Sequence, residues 1–245
     1  MSKTPLILSL DTASLGGGVC LMLGERILAS VPGDAKVSHS NTLLRDIDRV
    51  LKGSNLSIRN VDLFAATAGP GSFTGLRIGL ATIKALAATL GRPCAGIPTL
   101  QAVALSAGPS NATIALLPAG RGELFAQLLS VSSVLEVREH DAAAHLLPLT
   151  VIENYGQSID LTWAGAGAHL YRDLIRHRAL LSDIRFAEDG ADAGGWKLTK
   201  GKESLAEEIA ALAWQRFQAG AADSADSLRA IYVRPSDPEL REQSL

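Results

Sequence analysis

Two short stretches of this 245-residue chain carry residue types that could bind a phosphate group. Asp11 and Thr12 end an apolar run, and a carboxylate at such a position could act on a nucleotide through a bound cation. Gly71 and Ser72 belong to a second stretch, Gly69-Pro70-Gly71-Ser72, which lacks the lysine of a P-loop and the spacing of a dinucleotide-binding loop. The alternative at Asp11 is an ordinary turn, in which the carboxylate accepts main-chain hydrogen bonds.

The residues that usually bind zinc or act as nucleophiles show no catalytic spacing. The histidines are His39, His140, His145, His169 and His177. They form neither an H-E-x-x-H motif nor a clear i, i+4 pair, and two distant cysteines complete no zinc set. Cys20 and Cys94 lie in apolar runs, which predicts buried free thiols in a reducing compartment rather than a disulfide. The sequence therefore predicts no catalytic residues and no metal site in this chain.

The glycine turn is followed by an unusual predicted helix over residues 73–90. Arg77 and Lys84 are its only charged residues, so the helix should be covered on more than one side. Gly75 and Gly79 each cost about 1 kcal/mol relative to alanine inside a helix, which suggests that another element approaches closely. That element could belong to the same domain or to a partner subunit.

The predicted elements divide the chain into an α/β protein with two lobes. In the first, strands at 6–10, 19–23, 26–31, 62–67 and 94–96 alternate with helices at 42–52, 73–90 and after 98. In the second, we expect strands at 113–117, 124–130, 134–138 and 161–164, with helices at 142–147, 168–178 and 204–218. The predicted boundaries are 1–107 and 108–219, with 220–235 returning to the first lobe and 236–245 forming a mobile tail.

Composition excludes some classes of protein. With 23 basic and 25 acidic residues, the chain lacks the basic footprint of a protein that binds nucleic acid alone, so RNA contact would need a partner. The short polar start predicts no signal peptide. We also expect no membrane-spanning segment, because we find no uninterrupted apolar run of the required length. These features predict a cytoplasmic protein.

Five stretches resemble a known family, and the glycine-turn helix is the most specific of them. They read LSLDTAS, SHSNTLLRDIDRVL, AGPGSFTGLRIGLATIKALAATLGRP, GIPTLQAVA and IYVRP. Together they resemble the TsaB family, the dimerisation subunit of the bacterial machinery that makes threonylcarbamoyladenosine in tRNA. The resemblance implies two ribonuclease-H-like lobes of the actin-like ATPase (ASKHA) superfamily, with mixed sheets flanked by helices.

The resemblance also implies partners and a division of labour. The family pairs with the related catalytic subunit TsaD, is assisted by the ATPase TsaE, and serves tRNAs that read codons starting with A. ATP and magnesium are expected in that complex, and tRNA is expected to bind only through it. TsaD carries a pair of metal-binding histidines on its first-lobe helix, whereas the comparable region here offers only His39.

The predicted partner surface lies on helices 42–52 and 73–90, facing TsaD or, in isolation, a second copy of the chain. Its residues would be Leu43, Leu44, Ile47, Leu51, Gly75, Leu76, Gly79, Leu80, Ile83 and Leu86. On this hypothesis Gly79→Leu keeps the fold and abolishes pairing. The alternatives are a self-sufficient ATP-dependent enzyme such as a small kinase, centred on Asp11, and a glycoprotease-type metallopeptidase.

Overall fold

The structure, a computed structural model, describes residues 4–14, 16–34, 39–188 and 194–233, with only the backbone described for 39–41. Its first sheet has the order β3-β2-β1-β4-β5. The first three strands are antiparallel, and β4 and β5 continue the sheet in parallel. The strands are β1 (Leu6–Asp11), β2 (Gly18–Leu23), β3 (Arg26–Pro32), β4 (Leu63–Gly69) and β5 (Cys94–Pro98).

A second mixed sheet has the order β11-β12-β10-β6-β7-β8, with β9 also paired to β7. Strands β6, β10, β12 and β11 are parallel, while β7 pairs antiparallel with β6, β8 and β9. The strands are β6 (Ser110–Gly120), β7 (Glu123–Val131), β8 (Val137–Glu139), β9 (Ala144–Leu146), β10 (Leu161–Ala164), β11 (Phe186–Glu188) and β12 (Trp196–Leu198).

Helices cover both outer faces of the sheets and fill the space between them. The helices are α1 (His39–Gly53), α2 (Phe73–Leu90), α3 (Thr99–Ser106), α4 (Pro148–Tyr155), α5 (Ala166–Leu170), α6 (Arg172–Leu181) and α7 (Ala206–Gln218). α1 and α2 pack on the outer face of the first sheet, and α4 to α6 on that of the second. α3 contacts both sheets, and α7 packs beside it. The predicted α/β class, with mixed sheets flanked by helices, is confirmed.

Strand β1 lies at the centre of the first sheet and has apolar partners on both faces. Ile7 faces the inner layer with α3 and α7, whereas Leu8 and Leu10 face α1 and α2. Ser9 also faces inward, where its hydroxyl donates a hydrogen bond to the Ala206 carbonyl oxygen at 2.6 Å. Because successive side chains alternate between the faces of a strand, burial on both sides explains the continuous apolar run that begins the chain.

The position of α7 corrects the predicted domain boundary at 219. This helix packs against β1, β2, β4 and β5 rather than against the second sheet alone. Its residues Ile209 and Leu212 join Ile7 and Cys20 in one core cluster, because the inner face of the first sheet is apolar and needs a cover. The second unit, predicted as 108–219, therefore ends before α7.

The segment after α7 packs against the first sheet. The amide of Cys94 donates to the Asp223 carbonyl oxygen at 2.9 Å, and the amide of Ile231 donates to that of Ala68 at 2.7 Å. Leu228 is buried against the outer face of the same sheet. Residues 234–235 of the predicted connection and the predicted tail 236–245 lie outside the described residues.

The second sheet departs most from expectation. The predicted helix at 142–147 is wrong, because residues 144–146 form β9 and a helix begins only at Pro148. His145 pairs with Phe125 of β7, so pairing along the exposed side of β7 overrides the local helix preference of an alanine-rich segment. The short strands β11 and β12 were not predicted, and β8 begins at Val137 instead of residue 134.

One helix bears on the expectation about membranes. Among the described residues, α2 is the single helix long and apolar enough to cross a bilayer. Length and composition alone therefore do not exclude a membrane span at this helix, contrary to the expectation from the sequence. In the structure Leu76, Leu80 and Ile83 of this helix are buried against the first sheet. One side of α2 is therefore part of the core of this chain.

The two thiols are buried and free, as predicted. Burial raises the pKa of Cys20 to about 12 and that of Cys94 to about 11.

We expect both thiols to resist a thiol-reactive disulfide reagent at pH 8 in the folded protein and to react in denaturant. Since folding favours the neutral thiols, their contribution to stability is complete below the pKa of an unfolded thiol, about 8.5, and is lost as the pH rises towards 11 and 12. Rapid labelling of both cysteines in the folded protein would contradict this burial.

Candidate functional site

The structure brings the two predicted phosphate-binding stretches together, but they pack on each other. The amide of Ser72 donates to the Ala13 carbonyl oxygen at 3.2 Å, and a Cβ on Gly71 would lie 2.7 Å from that of Ala13. The Ser72 hydroxyl accepts a hydrogen bond from the Gly75 amide at 3.2 Å and so caps the N-terminus of α2. The turn thus joins the end of β1 to the start of α2.

The carboxylate of Asp11 is fully buried and hydrogen-bonded by its own chain. One oxygen accepts from the amides of Ala13 at 3.1 Å and Ser14 at 3.3 Å. The other accepts from the Ser14 hydroxyl at 2.5 Å and the Leu205 amide at 3.0 Å. Asp11 thus forms an ordinary turn with main-chain hydrogen bonds, which is the alternative stated for it from the sequence. The Leu205 amide, at the start of α7, adds a further hydrogen bond.

The segment before α7 also covers the turn between β1 and β2. A Cβ on Gly18 would overlap the Ser204 hydroxyl, and one on Gly16 would lie 3.2 Å from the Glu203 carbonyl oxygen. A nucleotide phosphate and its magnesium ion would need this space and the Asp11 oxygens. The residues at Asp11 and Thr12 therefore do not fit a magnesium nucleotide.

We expect Asp11→Ala to destabilise the protein rather than to remove a ligand. The substitution leaves the buried Leu205 amide without its acceptor, so the free energy of unfolding should fall by about 2–4 kcal/mol. Urea denaturation measures this loss, with Asp48→Ala on the exposed side of α1 as the control. Calorimetry with ATP and magnesium should give the same result for both variants. Unchanged stability together with lost nucleotide binding would contradict the structural role of Asp11.

The two glycines of α2 face Thr12 of the same chain. A Cβ on Gly75 would overlap the Thr12 carbonyl oxygen, and one on Gly79 would overlap its hydroxyl oxygen. That hydroxyl is buried and has no hydrogen-bond partner within the described part of the chain. The close approach predicted from the glycines is real, but the approaching element is the end of β1 and not a partner subunit.

The burial of α1 and α2 corrects most of the predicted partner surface. Eight of its ten residues are packed inside the chain's own fold and cannot form a contact surface: Leu43, Ile47, Leu51, Gly75, Leu76, Gly79, Leu80 and Ile83. Leu86 is half-buried, and Leu44 is 70% exposed. The predicted partner surface is mainly the apolar side by which both helices pack on the first sheet.

The opposite side of α2 is exposed, and we call it the outer α2 face. Its residues are Thr74, Arg77, Ile78, Ala81, Ala85, Ala88 and Thr89, of which Ile78 is half-buried. Arg77 is the charged residue among them, and the half-buried Lys84, seven positions further on, lies beside it along the edge of the face. Helix faces that meet water usually carry several charges, whereas the centres of protein interfaces are depleted in them. Small side chains would also let the backbone of another helix come close.

An exposed aromatic pair lies at the N-terminal end of this face. The rings of Phe73 and Tyr232 have centroids 5.8 Å apart, and the guanidinium of Arg77 lies 3.8 Å from the centre of the Phe73 ring. Phe73 is 42% and Tyr232 52% exposed. Lys84 donates to the Leu228 carbonyl oxygen at 3.0 Å and so ties the C-terminal segment to the same helix.

The histidines with described side chains are dispersed. His145 lies 3.1 Å from a carboxylate oxygen of Glu123, His140 lies 2.8 Å from the Ser130 hydroxyl, and His169 lies beside Gly201. Among the side chains that the structure describes, no three His, Cys, Asp or Glu residues come close enough together to hold a metal ion. The side chain of His39 lies outside the described part.

Comparison with known proteins places this chain in one family. A family model described as TsaD, tRNA N6-adenosine threonylcarbamoyltransferase, matches residues 23–235. The tRNA N6-adenosine threonylcarbamoyltransferase of Rhizobium johnstonii is 40% identical over 98 residues, 40% of this chain and 24% of that protein. The Bacillus subtilis tRNA threonylcarbamoyladenosine biosynthesis protein TsaB is 26% identical over 123 residues, 50% of this chain and 54% of TsaB. The chain thus spans about a quarter of the length of the transferases and about half of TsaB.

The fold is similar to that of a solved structure over almost its whole length. YeaZ from Pseudomonas aeruginosa superposes with a TM-score of 0.74 and 23% sequence identity, covering 93% of this chain and 99% of YeaZ. Together with the family match, this similarity confirms the predicted ASKHA-type fold and the resemblance to the TsaB family.

Proposed function

The chain belongs to the TsaD family of tRNA N6-adenosine threonylcarbamoyltransferases, and we propose that within this family it is a non-catalytic scaffold and activator. In this role it pairs with TsaD for threonylcarbamoyl transfer to the adenosine next to the anticodon, in tRNAs that read codons starting with A. The relatives support the proposal, since one is named for that transfer and another for threonylcarbamoyladenosine biosynthesis.

The observation that carries the proposal is the outer α2 face. It is an exposed, nearly uncharged surface of small residues on a helix whose other side is buried in the core. Asp11 supports a scaffold rather than the kinase alternative, because its carboxylate is already bonded to Ala13, Ser14 and Leu205. We propose that ATP and magnesium are bound by other subunits of the complex.

The assembly that we propose has further components. TsaE assists the pair, tRNA is contacted only through the complex, and the complex works in the cytoplasm. In isolation the chain forms a homodimer through the same outer α2 face, because the surface that TsaD would cover is then free. Formation of the TsaD pair would replace that homodimer.

The proposal is tested by capture from the source cells and by reconstitution. We expect the tagged chain to retain TsaD, and we expect purified TsaD with TsaE, tRNA, ATP and a threonylcarbamoyl donor to form the modified adenosine only when this chain is added. The control for capture is the same tag on an unrelated protein. Full activity of TsaD without this chain would contradict the activator role, and absence of TsaD from the captured material would contradict the pairing.

A further inference from the structure

We propose that Arg77 determines which partner this chain prefers, by forming an ion pair with a carboxylate that TsaD contributes to the interface. Arg77 lies with Phe73 and Tyr232 at the N-terminal end of the outer α2 face, and we call these three residues the Arg77 cluster. The inference rests on the proposed function, because it concerns the surface that TsaD would cover. It goes further by assigning a specificity residue and the residue type that faces it.

The conformation of Arg77 follows from its place on α2. Residues four positions apart are neighbours on a helix, and long helical side chains point towards the N-terminus. The Arg77 side chain therefore runs back over Phe73, and the centre of its guanidinium lies 3.8 Å from the centre of that ring. The Phe73 ring in turn lies beside that of Tyr232, with centroids 5.8 Å apart. The guanidinium thus has a defined position before any partner binds.

Tyr232 is held in the cluster by the main chain on which it lies. The amide of Ile231 donates a hydrogen bond to the Ala68 carbonyl oxygen of β4 at 2.7 Å. Lys84 of α2 donates to the Leu228 carbonyl oxygen at 3.0 Å, and the Leu228 side chain is buried against the first sheet. This segment is therefore attached to both β4 and α2, so the cluster is continuous with the outer α2 face.

The guanidinium of Arg77 is free to bind a carboxylate. Across the described ranges of the chain, it forms no ion pair and donates no hydrogen bond, and its contact is the ring of Phe73. Arg77 is also exposed, so a partner can reach it. A guanidinium presents its N–H groups as a planar fork that matches the two oxygens of a carboxylate.

A partner that covers Arg77 has to supply a negative charge. Burying an unpaired cation in an interface is strongly unfavourable, whereas a hydrogen-bonded carboxylate compensates for the water that is lost. Tyrosine and arginine are also among the residues that contribute most to binding where neighbouring contacts exclude water. We therefore expect TsaD to present an Asp or Glu to Arg77, beside an apolar side chain that packs on Phe73 and Tyr232.

A second copy of this chain does not supply that carboxylate from the same helices. Residues 73–90 of α2 contain no Asp or Glu. In α1, Asp48 lies 2.7 Å from Lys52 and Asp46 lies 4.0 Å from Arg45, so both carboxylates already have a basic neighbour. A homodimer through the outer α2 face would thus cover this cation without a counter-charge from α1 or α2. The difference favours TsaD over a second copy, since specificity is a difference of affinities.

The test measures the affinity of the same variants for TsaD and for a second copy, by calorimetry and light scattering on the full chain. We expect Arg77→Gln to weaken the TsaD pair at least about tenfold and to leave the homodimer unchanged or tighter. Arg77→Lys keeps the charge but loses the planar fork, so it should recover only part of the affinity. Arg138→Gln, at an exposed position on β8, is the control and should pair like the unchanged chain.

Charge reversal identifies the chain that contributes the carboxylate. Arg77→Glu should lose pairing with TsaD, and exchange of one acidic TsaD surface residue for arginine should restore it. The other source is the C-terminus of this chain, which contains Asp237, Glu239 and Glu242. With these three changed to Asn, Gln and Gln in the full chain, Arg77→Gln should still weaken the TsaD pair. Loss of the Arg77 effect in that background would overturn the assignment to TsaD.

Two further results would overturn the inference. They are an unchanged affinity for TsaD in Arg77→Gln, and an equal weakening of the TsaD pair and the homodimer by that variant. The melting temperature of each variant is measured first, so loss of folded protein is not counted as loss of pairing. Either result leaves the scaffold role standing when the unchanged chain pairs with TsaD. Absence of pairing by the unchanged chain contradicts the scaffold role itself, so the two failures are distinguishable.

Discussion

Gly79→Ala will lower the free energy of unfolding by about 1–3 kcal/mol, because the added methyl group has to displace the buried Thr12 side chain. Helix propensity alone predicts the opposite sign, since alanine is favoured over glycine by about 1 kcal/mol inside a helix. The sign of the change therefore reports whether this side of α2 is filled by the chain itself. Urea denaturation of the purified variant measures it.

Two further variants make the result specific to Thr12. Gly53→Ala, at the end of α1 where a Cβ meets no atom within 4 Å, should leave stability unchanged or slightly increased. Thr12→Ala combined with Gly79→Ala should recover part of the loss, because the overlapping hydroxyl is gone. Stabilisation by Gly79→Ala alone would show that the side is open.

The same packing overturns the expectation for Gly79→Leu. The sequence predicts that this variant keeps its fold and loses its partner, whereas the structure has Gly79 against Thr12 within one chain. A leucine side chain there would have to enter the contact between α2 and β1. We therefore expect loss of folded protein, so this variant cannot report on pairing.

The second large effect is expected on the outer α2 face. Ala85→Arg will weaken binding to TsaD at least about a hundredfold, because a long charged side chain would have to be buried where a small one allows close contact. Ala85 is exposed in the isolated chain, so the free energy of unfolding should change by less than about 0.5 kcal/mol. Light scattering of the chain mixed with TsaD measures the pairing.

A matched substitution elsewhere controls for added charge. Ala142→Arg places the same side chain at an exposed position beside the second sheet and should leave pairing intact. An intact heterodimer with Ala85→Arg would remove the outer α2 face from the interface. Loss of pairing in both variants would show a general effect of charge.

The order of elements in the first half could be predicted because its signals are local. Strands β1 to β3 have short apolar runs with glycine turns, and α2 has its cap at Ser72. The choice between the two sides of α2 could not be predicted, because both sides are poor in charge. The side with Ala81, Ala85 and Ala88 differs from the side with Leu76, Leu80 and Ile83 only in side-chain size, and the structure shows that the larger side chains are the buried ones.

The bonding of Asp11 could not be predicted for a different reason. Its partner, the Leu205 amide, is 194 positions away in the chain, and no local pattern links the two. The position of α7 has the same cause, since an amphipathic helix does not indicate which of two sheets it covers. β9 and β12 are three-residue strands defined by pairing with their neighbours, so their own sequences carry little signal.

Hydrogen–deuterium exchange of the chain with and without TsaD tests the central claim most directly. We expect slower exchange on binding at residues 74–89 of α2, where the outer face is covered, and unchanged exchange in α4 to α6 across residues 148–181. Protection confined to α4 to α6, or no change in α2 although the heterodimer forms, would contradict the claim that the outer face of α2 is the surface that TsaD binds.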